Sequence, residues 1–137
     1  MKKVLSAIAV IVLMASCSKK NDVIDPLQEQ ATSSSFFRDA NLAVASMTAA
    51  NASGKVQINF TTVYEKNISK IEVMAGDSPN YLCSIYENVS NGNSTQSKSY
   101  FVTDNAPKAQ TMYYMIRYTL ANGDWGYTNV IKFQLGK

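Results

Sequence analysis

Apolar and polar residues alternate along most of the chain after residue 41. In KVQINFTT, the apolar residues Val56, Ile58 and Phe60 fall on one side of an extended chain, and the polar residues between them fall on the other. A period of two is typical of a β-strand that buries one of its faces. The pattern therefore predicts a half-buried strand in this segment.

The same alternation recurs along the chain and predicts about seven strands. The segments are LAVASM, KVQINFTT, ISKIEVMAG, YLCSIYENV, KSYFVTD, TMYYMIRYTL and YTNVIKFQL, separated by turn-forming stretches such as GDSPN, NVSNGNS and LANGDW. Short strands without helical periods indicate an all-β, seven-stranded antiparallel sandwich with apolar sides facing inward. In the longest segment we expect one face to point to the core, made of Tyr114, Ile116, Tyr118 and Leu120. We expect Tyr114 to pin a connection between strands.

The first residues have the pattern of an export signal. Lys2 and Lys3 precede an uncharged apolar run, Val4 to Ala15, which is shorter than the roughly 20 residues that a spanning helix needs. The following MASC resembles the lipobox of bacterial lipoproteins, in which the cysteine becomes the first mature residue and carries lipid. The resemblance implies a signal peptide over residues 1–16 and lipid attachment at Cys17. An ordinary signal peptide with an incidental cysteine is the alternative.

Residues 17–39 begin with the cysteine to which the lipobox resemblance assigns lipid. The rest of this stretch lacks a sustained apolar period and is rich in polar residues, which predicts a flexible tether. The folded domain is then expected over residues 40–137. Because lipid would occupy the sulfur of Cys17, we expect no disulfide and a buried, inert thiol at Cys83. The predicted location is the outer membrane, on either its periplasmic or its exposed side.

Two longer runs resemble the fibronectin type III-like modules of secreted bacteroidete proteins. They are residues 56–73, with Glu65 and Asn67 after the first strand, and residues 100–131, with a Tyr-Tyr strand and an Asn-Gly hairpin. Phe60 and Gln110 depart from the family pattern, which usually has Trp and Gly there. The resemblance implies an immunoglobulin-like sandwich and does not by itself define a function.

The composition argues against several functional classes. The 137 residues include no histidine, so the usual base for a serine or cysteine nucleophile is missing. The net charge of +3 is not concentrated in one basic segment, which argues against nucleic-acid binding. Carboxylates are scattered; we expect Glu65 and Glu72 to face solvent and Asp104 and Asp124 to form turns. We predict no enzymatic activity, no metal site and no cofactor.

The remaining prediction is a non-enzymatic, lipid-anchored envelope protein that acts as a binding, adhesion or scaffold module. Its partners would be the membrane, through the lipid, and an envelope or surface protein. The alternative is a glycan-binding accessory protein in which Trp125 and Tyr127 are the contact residues. For Trp125, both packing at the rim of the core and contact with a ligand remain open. A sugar-binding site should expose at least two aromatic rings in one plane.

Overall fold

The computed structural model describes residues 17–19 and 36–136. The predicted signal peptide and most of the predicted tether lie outside the described residues. The described residues form nine β-strands and no helix. The strands are β1 (Cys17–Lys19), β2 (Phe37–Arg38), β3 (Leu42–Ala52), β4 (Lys55–Ser78), β5 (Tyr81–Ser94), β6 (Lys98–Asp104), β7 (Thr111–Leu120), β8 (Trp125–Tyr127) and β9 (Ile131–Gln134).

The 24-residue strand β4 organises one curled, antiparallel sheet. Its first half pairs with β3 on one side and with β6 on the other. Its second half pairs with β5 and β7. The short strands complete the pairing, since β2 joins β3, β1 joins β5, and both β8 and β9 join β7. The two halves of β4 therefore have different neighbours.

The predicted all-β class is confirmed, but the strand boundaries differ in three places. The strands predicted around Val56 and Val73 are parts of the single strand β4. The last predicted strand is divided into β8 and β9. The predicted turn NVSNGNS lies within β5, where Gly92 adopts a φ of 96° at a position where the register with β4 shifts. A glycine can take this conformation without steric cost, so the irregularity is absorbed as a bulge instead of ending the strand.

Burial follows the predicted alternation in the first half of β4 and in β7. Val56, Ile58 and Phe60 are at most 1% exposed, and the Phe60 ring stacks on Tyr100 with a centroid distance of 4.5 Å. Tyr114, Ile116 and Tyr118 are also buried, as predicted. One apolar cluster contains residues from both halves of β4 and from their neighbours. This main core thus joins the two halves, and a second, smaller cluster contains Met74, Leu82 and Met115.

Asp39 attaches the segment that precedes β3 to this core. Its carboxylate accepts hydrogen bonds from the backbone amides of Asn41 and Leu42, each at 2.7 Å, and from the Tyr118 hydroxyl. The Tyr64 hydroxyl donates to the Asp39 backbone carbonyl. Burial and the hydrogen bond to Asp39 raise the pKa of Tyr118, which keeps this hydroxyl a donor. The segment entering β3 is therefore held at several points.

Tyr114 pins the connection between β6 and β7, as predicted from its position. Its hydroxyl donates to Asp104 Oδ2 at 3.0 Å, while the other carboxylate oxygen of Asp104 accepts from the Ala106 amide at 3.1 Å. Burial and the charge of Asp104 raise the pKa of Tyr114. The Tyr114 hydroxyl therefore bonds to the side-chain carboxylate of Asp104. Asp104 also forms the turn that was predicted for it, through its bond with the Ala106 amide.

Removing this hydroxyl should destabilise the fold measurably. We expect Tyr114→Phe to lower the free energy of unfolding by about 1–3 kcal/mol, because the Asp104 carboxylate loses a buried donor. Tyr113→Phe is the matched control, since the Tyr113 hydroxyl has no hydrogen-bond partner among residues 36–136. Urea denaturation of the three proteins measures the difference. Equal stability of both variants would contradict the assigned role.

Candidate binding surface

The second half of β4 and its neighbours present a face directed away from the main core, which we call the ionic face. Its side chains lie in rows across the strands, because register partners in a sheet point to the same side. One row contains Glu87, Glu72, Arg117 and Tyr127, and the next contains Val89, Lys70, Thr119 and Trp125. Met74 and Met115 form the following row and are buried. The ionic face therefore has charges at its centre and apolar groups around them.

A bidentate ion pair occupies the centre of the ionic face. Arg117 Nε and Nη2 donate to the two carboxylate oxygens of Glu72 at 2.7 and 2.8 Å. Lys70 Nζ lies 3.5 Å from Glu72 and 3.1 Å from Glu87. Burial alone would raise the pKa of Glu72, but the hydrogen bonds and charge of Arg117 hold it below its ordinary value. Glu72 thus stays ionised within a network of four charged groups.

The prediction that Glu72 faces solvent is wrong. The side chain does point away from the main core, yet it is only 3% exposed because its neighbours in the sheet cover it. A bidentate arginine–carboxylate pair has a fixed geometry and is stronger than a hydrogen bond between neutral groups. The alternation of apolar and polar residues predicts to which side of the sheet Glu72 points. Whether side chains on the neighbouring strands cover it depends on the strand register, which the alternation does not predict.

Trp125 and Tyr127 lie side by side at one border of the ionic face. Their ring centroids are 5.2 Å apart, and the ring planes are tilted by 57°. Trp125 is 63% exposed, whereas Tyr127 is half-buried beside Arg117. At the opposite border, Val89 on β5 is 74% exposed. The two aromatic residues singled out in the sequence are therefore neighbours, but their rings do not form one flat platform.

The second buried carboxylate belongs to Glu65 on β4, and its side chain contacts residues of β5 and β6. Glu65 Oε1 accepts from the hydroxyls of Thr62 and Tyr100 at 2.9 and 2.6 Å. Its Oε2 accepts from Lys98 Nζ at 2.7 Å and from the Ser90 hydroxyl at 3.2 Å. The residue is 0% exposed, so the prediction that it faces solvent is wrong. The sequence provides no local signal for this, because three of the four donors come from β5 and β6.

These contacts determine the charge state of the Glu65 cluster. Burial raises the pKa of Glu65, but hydrogen bonds from Lys98, Tyr100 and Thr62 outweigh burial and bring the pKa below its ordinary value. Burial and the bond to Glu65 raise the pKa of Tyr100, which therefore remains a donor. The cluster is consequently an ionised carboxylate surrounded by groups that stabilise its charge.

A shallow depression of about 480 Å³ lies beside the Glu65 cluster. Its lining is Asn88, Val89, Ser90, Lys98, Ser99 and Tyr100. A carboxylate offers about four acceptor positions, and Glu65 already accepts four hydrogen bonds. Its lone pairs are therefore occupied by the protein, and this geometry favours a structural role for Glu65.

The cysteines differ from expectation. Cys83 is half-buried and disulfide-bonded, so the predictions of an inert thiol and of no disulfide are wrong for this structure. The backbone of Cys17, the other cysteine of the chain, is the register partner of Cys83 across β1 and β5. A sulfur in a disulfide cannot carry lipid at the same time. Lipid attachment at Cys17 stays a prediction from the sequence.

Comparison with protein-family models, with curated proteins and with solved structures finds no match for this chain. Within the part of the chain that the structure describes, no helix is long and apolar enough to cross a membrane. Residues 17–19 and 36–136 also contain no group of three metal-ligating side chains of the cysteine or carboxylate type. A functional assignment therefore depends on the surface of the molecule.

The Glu65 cluster should make the stability of the protein sensitive to acid. Because the folded-state pKa of Glu65 is lowered, its stabilisation is present above the ordinary value of 4.5 and is lost as the pH falls through the folded-state pKa. At neutral pH we expect Glu65→Gln to lower the free energy of unfolding by about 1–3 kcal/mol. Below pH 4.5 we expect the variant to lose stability less steeply than the wild type.

Urea denaturation across this pH range measures both effects. Glu87→Gln is the control, because the Glu87 side chain is 53% exposed and does not take part in the Glu65 cluster. Glu72 contributes a residual slope in every variant, since its pKa is also lowered. A Glu65→Gln protein with an unchanged acid slope would contradict the assigned charge state.

Proposed function

We propose that this protein is a non-enzymatic binding module anchored by lipid at Cys17 to the outer membrane of a bacterial envelope. The observation that carries the binding role is the ionic face, where the exposed Trp125 and Val89 flank a bidentate ion pair. The anchor is supported by the sequence MASC and by the uncharged run before it. The anchored module could face the periplasm or the cell exterior.

We also propose that the domain is a fibronectin type III-like sandwich. Support comes from the pairing of β4, whose first half lies between β3 and β6 and whose second half lies between β5 and β7. Treated as two strands, β4 would contribute to one layer with β2, β3 and β6, and to a larger layer with β1, β5, β7, β8 and β9. The apolar cluster that unites both halves is consistent with two layers sharing one core.

The chemistry of the ionic face favours a protein partner. Protein interfaces combine aromatic residues and arginine at their centre with aliphatic groups and a polar rim. Trp125, Arg117 and Val89 supply these elements within two adjacent rows of the sheet. The glycan-binding alternative predicted coplanar rings at Trp125 and Tyr127, and their ring planes are tilted by 57°. This face therefore supports the scaffold or adhesion role better than the glycan-binding alternative.

Several acyl chains would make the anchor lasting. Burial of lipid contributes roughly 0.8 kcal/mol per methylene, and one chain alone gives only marginal attachment. The proposal requires that the sulfur of Cys17 is acylated during export, before it could enter a disulfide. The disulfide at Cys83 would then belong to a form of the chain that has not been acylated.

Mass spectrometry of the protein isolated from its envelope tests the anchor. We expect an N-terminal peptide that begins at Cys17 and carries acyl chains. In Cys17→Ser this peptide should disappear, whereas in Cys83→Ser it should remain, because only one cysteine follows the export signal directly. A mature wild-type chain in which the two cysteines form a disulfide would refute the anchor.

Photo-crosslinking in intact cells tests the ionic face. A photoreactive residue at position 89 should crosslink to an envelope protein, and Trp125→Ala should strongly reduce the yield because it removes an apolar anchor from the same face. The matched control is the same photoreactive residue at position 108, which is exposed in the connection between β6 and β7. Crosslinking that is equal at both positions, or insensitive to Trp125→Ala, would contradict the proposed interface.

A further inference from the structure

The first half of β4 carries an outer face of different chemistry, which we call the neutral face. It consists of the outward positions 46, 48 and 50 of β3, 57, 59 and 61 of β4, and 99, 101 and 103 of β6. All nine positions are occupied by uncharged residues, and eight of them are Ser, Thr, Ala, Asn or Gln. The exception is Phe101. The neutral face thus contrasts with the network of four charged groups on the ionic face.

Thr48, Asn59 and Phe101 form the middle row of the neutral face. Asn59 is the register partner of both Thr48 and Phe101. The Phe101 side chain is 72% exposed, and hydroxyl or amide groups occupy the adjacent positions of the sheet. An apolar ring is therefore presented to solvent within a layer of uncharged hydrogen-bonding groups.

The amide of Asn59 provides a second, independent observation. Its Oδ1 is buried and accepts no hydrogen bond, and among the side chains that the structure describes it is the one such atom. A buried polar atom without a partner costs about 1–3 kcal/mol, so native proteins rarely retain one without a reason. Asn59 itself is only partly buried, and the terminal torsion of asparagine is soft. Rotation about this torsion is the movement by which the acceptor would meet a donor from outside.

These features restrict the chemistry of a ligand. The nine positions offer no charge to an ionic ligand, and the many donors and acceptors are poorly suited to a wholly apolar one. A neutral saccharide combines a weakly polar ring surface, which can stack on Phe101, with hydroxyl groups that can hydrogen-bond amides and hydroxyls. We propose that the neutral face binds a neutral saccharide, with Phe101 as the stacking residue and Asn59 Oδ1 as an acceptor from a sugar hydroxyl.

The shape of the neutral face favours a chain of sugars over a single one. Adjacent strands lie about 4.8 Å apart, so three strands give an open surface roughly 10 Å wide. Such a surface cannot enclose a monosaccharide, but an oligosaccharide can lie across it. This site does not depend on the protein-binding role of the ionic face, because the two faces belong to different halves of β4.

Binding of neutral oligosaccharides by the full chain, purified in detergent, tests the proposal. The probes are gluco-, xylo- and manno-hexaoses, with an oligomer of uronic acids as the charged comparison, and isothermal titration measures affinity. We expect at least one neutral hexaose to bind, and Phe101→Ala to weaken it by about tenfold or more, because the ring no longer buries apolar surface. Asn59→Ala should also weaken binding.

Trp125→Ala is the matched control, since it removes an aromatic ring of similar exposure from the ionic face. Its affinity for the hexaose should equal that of the wild type, and thermal unfolding should confirm that Phe101→Ala remains folded. Two results would overturn the proposal: no binding of any neutral hexaose, or binding that Phe101→Ala leaves unchanged. Preference for the uronic acid oligomer would overturn it as well.

Discussion

Glu65 accepts four hydrogen bonds at the residue where β4 passes from one pair of neighbours to the other. It is the register partner of Leu42 on β3 and of Ser94 on β5. A buried carboxylate is costly unless it is fully hydrogen-bonded, and removal of any donor leaves part of its charge uncompensated. The donors come from β4, β5 and β6, so their positions relative to one another are coupled through this one group.

The backbone next to Glu65 is anchored in a similar way. The Lys66 amide donates to the Asn41 carbonyl at 2.7 Å, and the Asn67 amide donates to the Asn93 side chain at 2.8 Å. Asn67 has a φ of 55°, a conformation that asparagine tolerates better than most residues. A long strand can therefore change neighbours without leaving backbone groups unpaired. Because β4 changes neighbours at this junction, its two halves share the main core on the inner side and have separate outer faces.

The sequence predicted the parts of the fold that depend on local periodicity. The alternation around Ile58 and Ile116 correctly predicted strands and their buried sides, and Tyr114 was correctly expected to pin a connection. The predictions were wrong where burial depends on distant strands. The alternation shifts between Thr62 and Glu65, both of which are buried three residues apart, and nothing in the local sequence indicates that Lys98 will reach the carboxylate.

The candidate site was predictable to a similar extent. Trp125 and Tyr127 were identified as a pair, and the structure places them together, but their tilt and the ion pair beside them required the register of three strands. Arg117 lies in the run 100–131 that resembles the fibronectin type III-like modules, and the sequence assigned it no separate role. Phe101 was overlooked because it is one residue in an ordinary alternating segment. Its exposure suggests a binding site only together with the unpaired oxygen of Asn59, which the strand register places next to it.

The outer faces are where function can vary without loss of the fold. Inward residues of a strand are constrained by packing, whereas substitutions at exposed outward positions usually change stability by less than about 0.5 kcal/mol. The two outer faces nevertheless differ sharply, since one contains four coupled charges and the other contains none among nine positions. The folding of a β-sheet does not require this contrast. It is instead the pattern expected if each half of β4 presents a surface suited to a different kind of ligand.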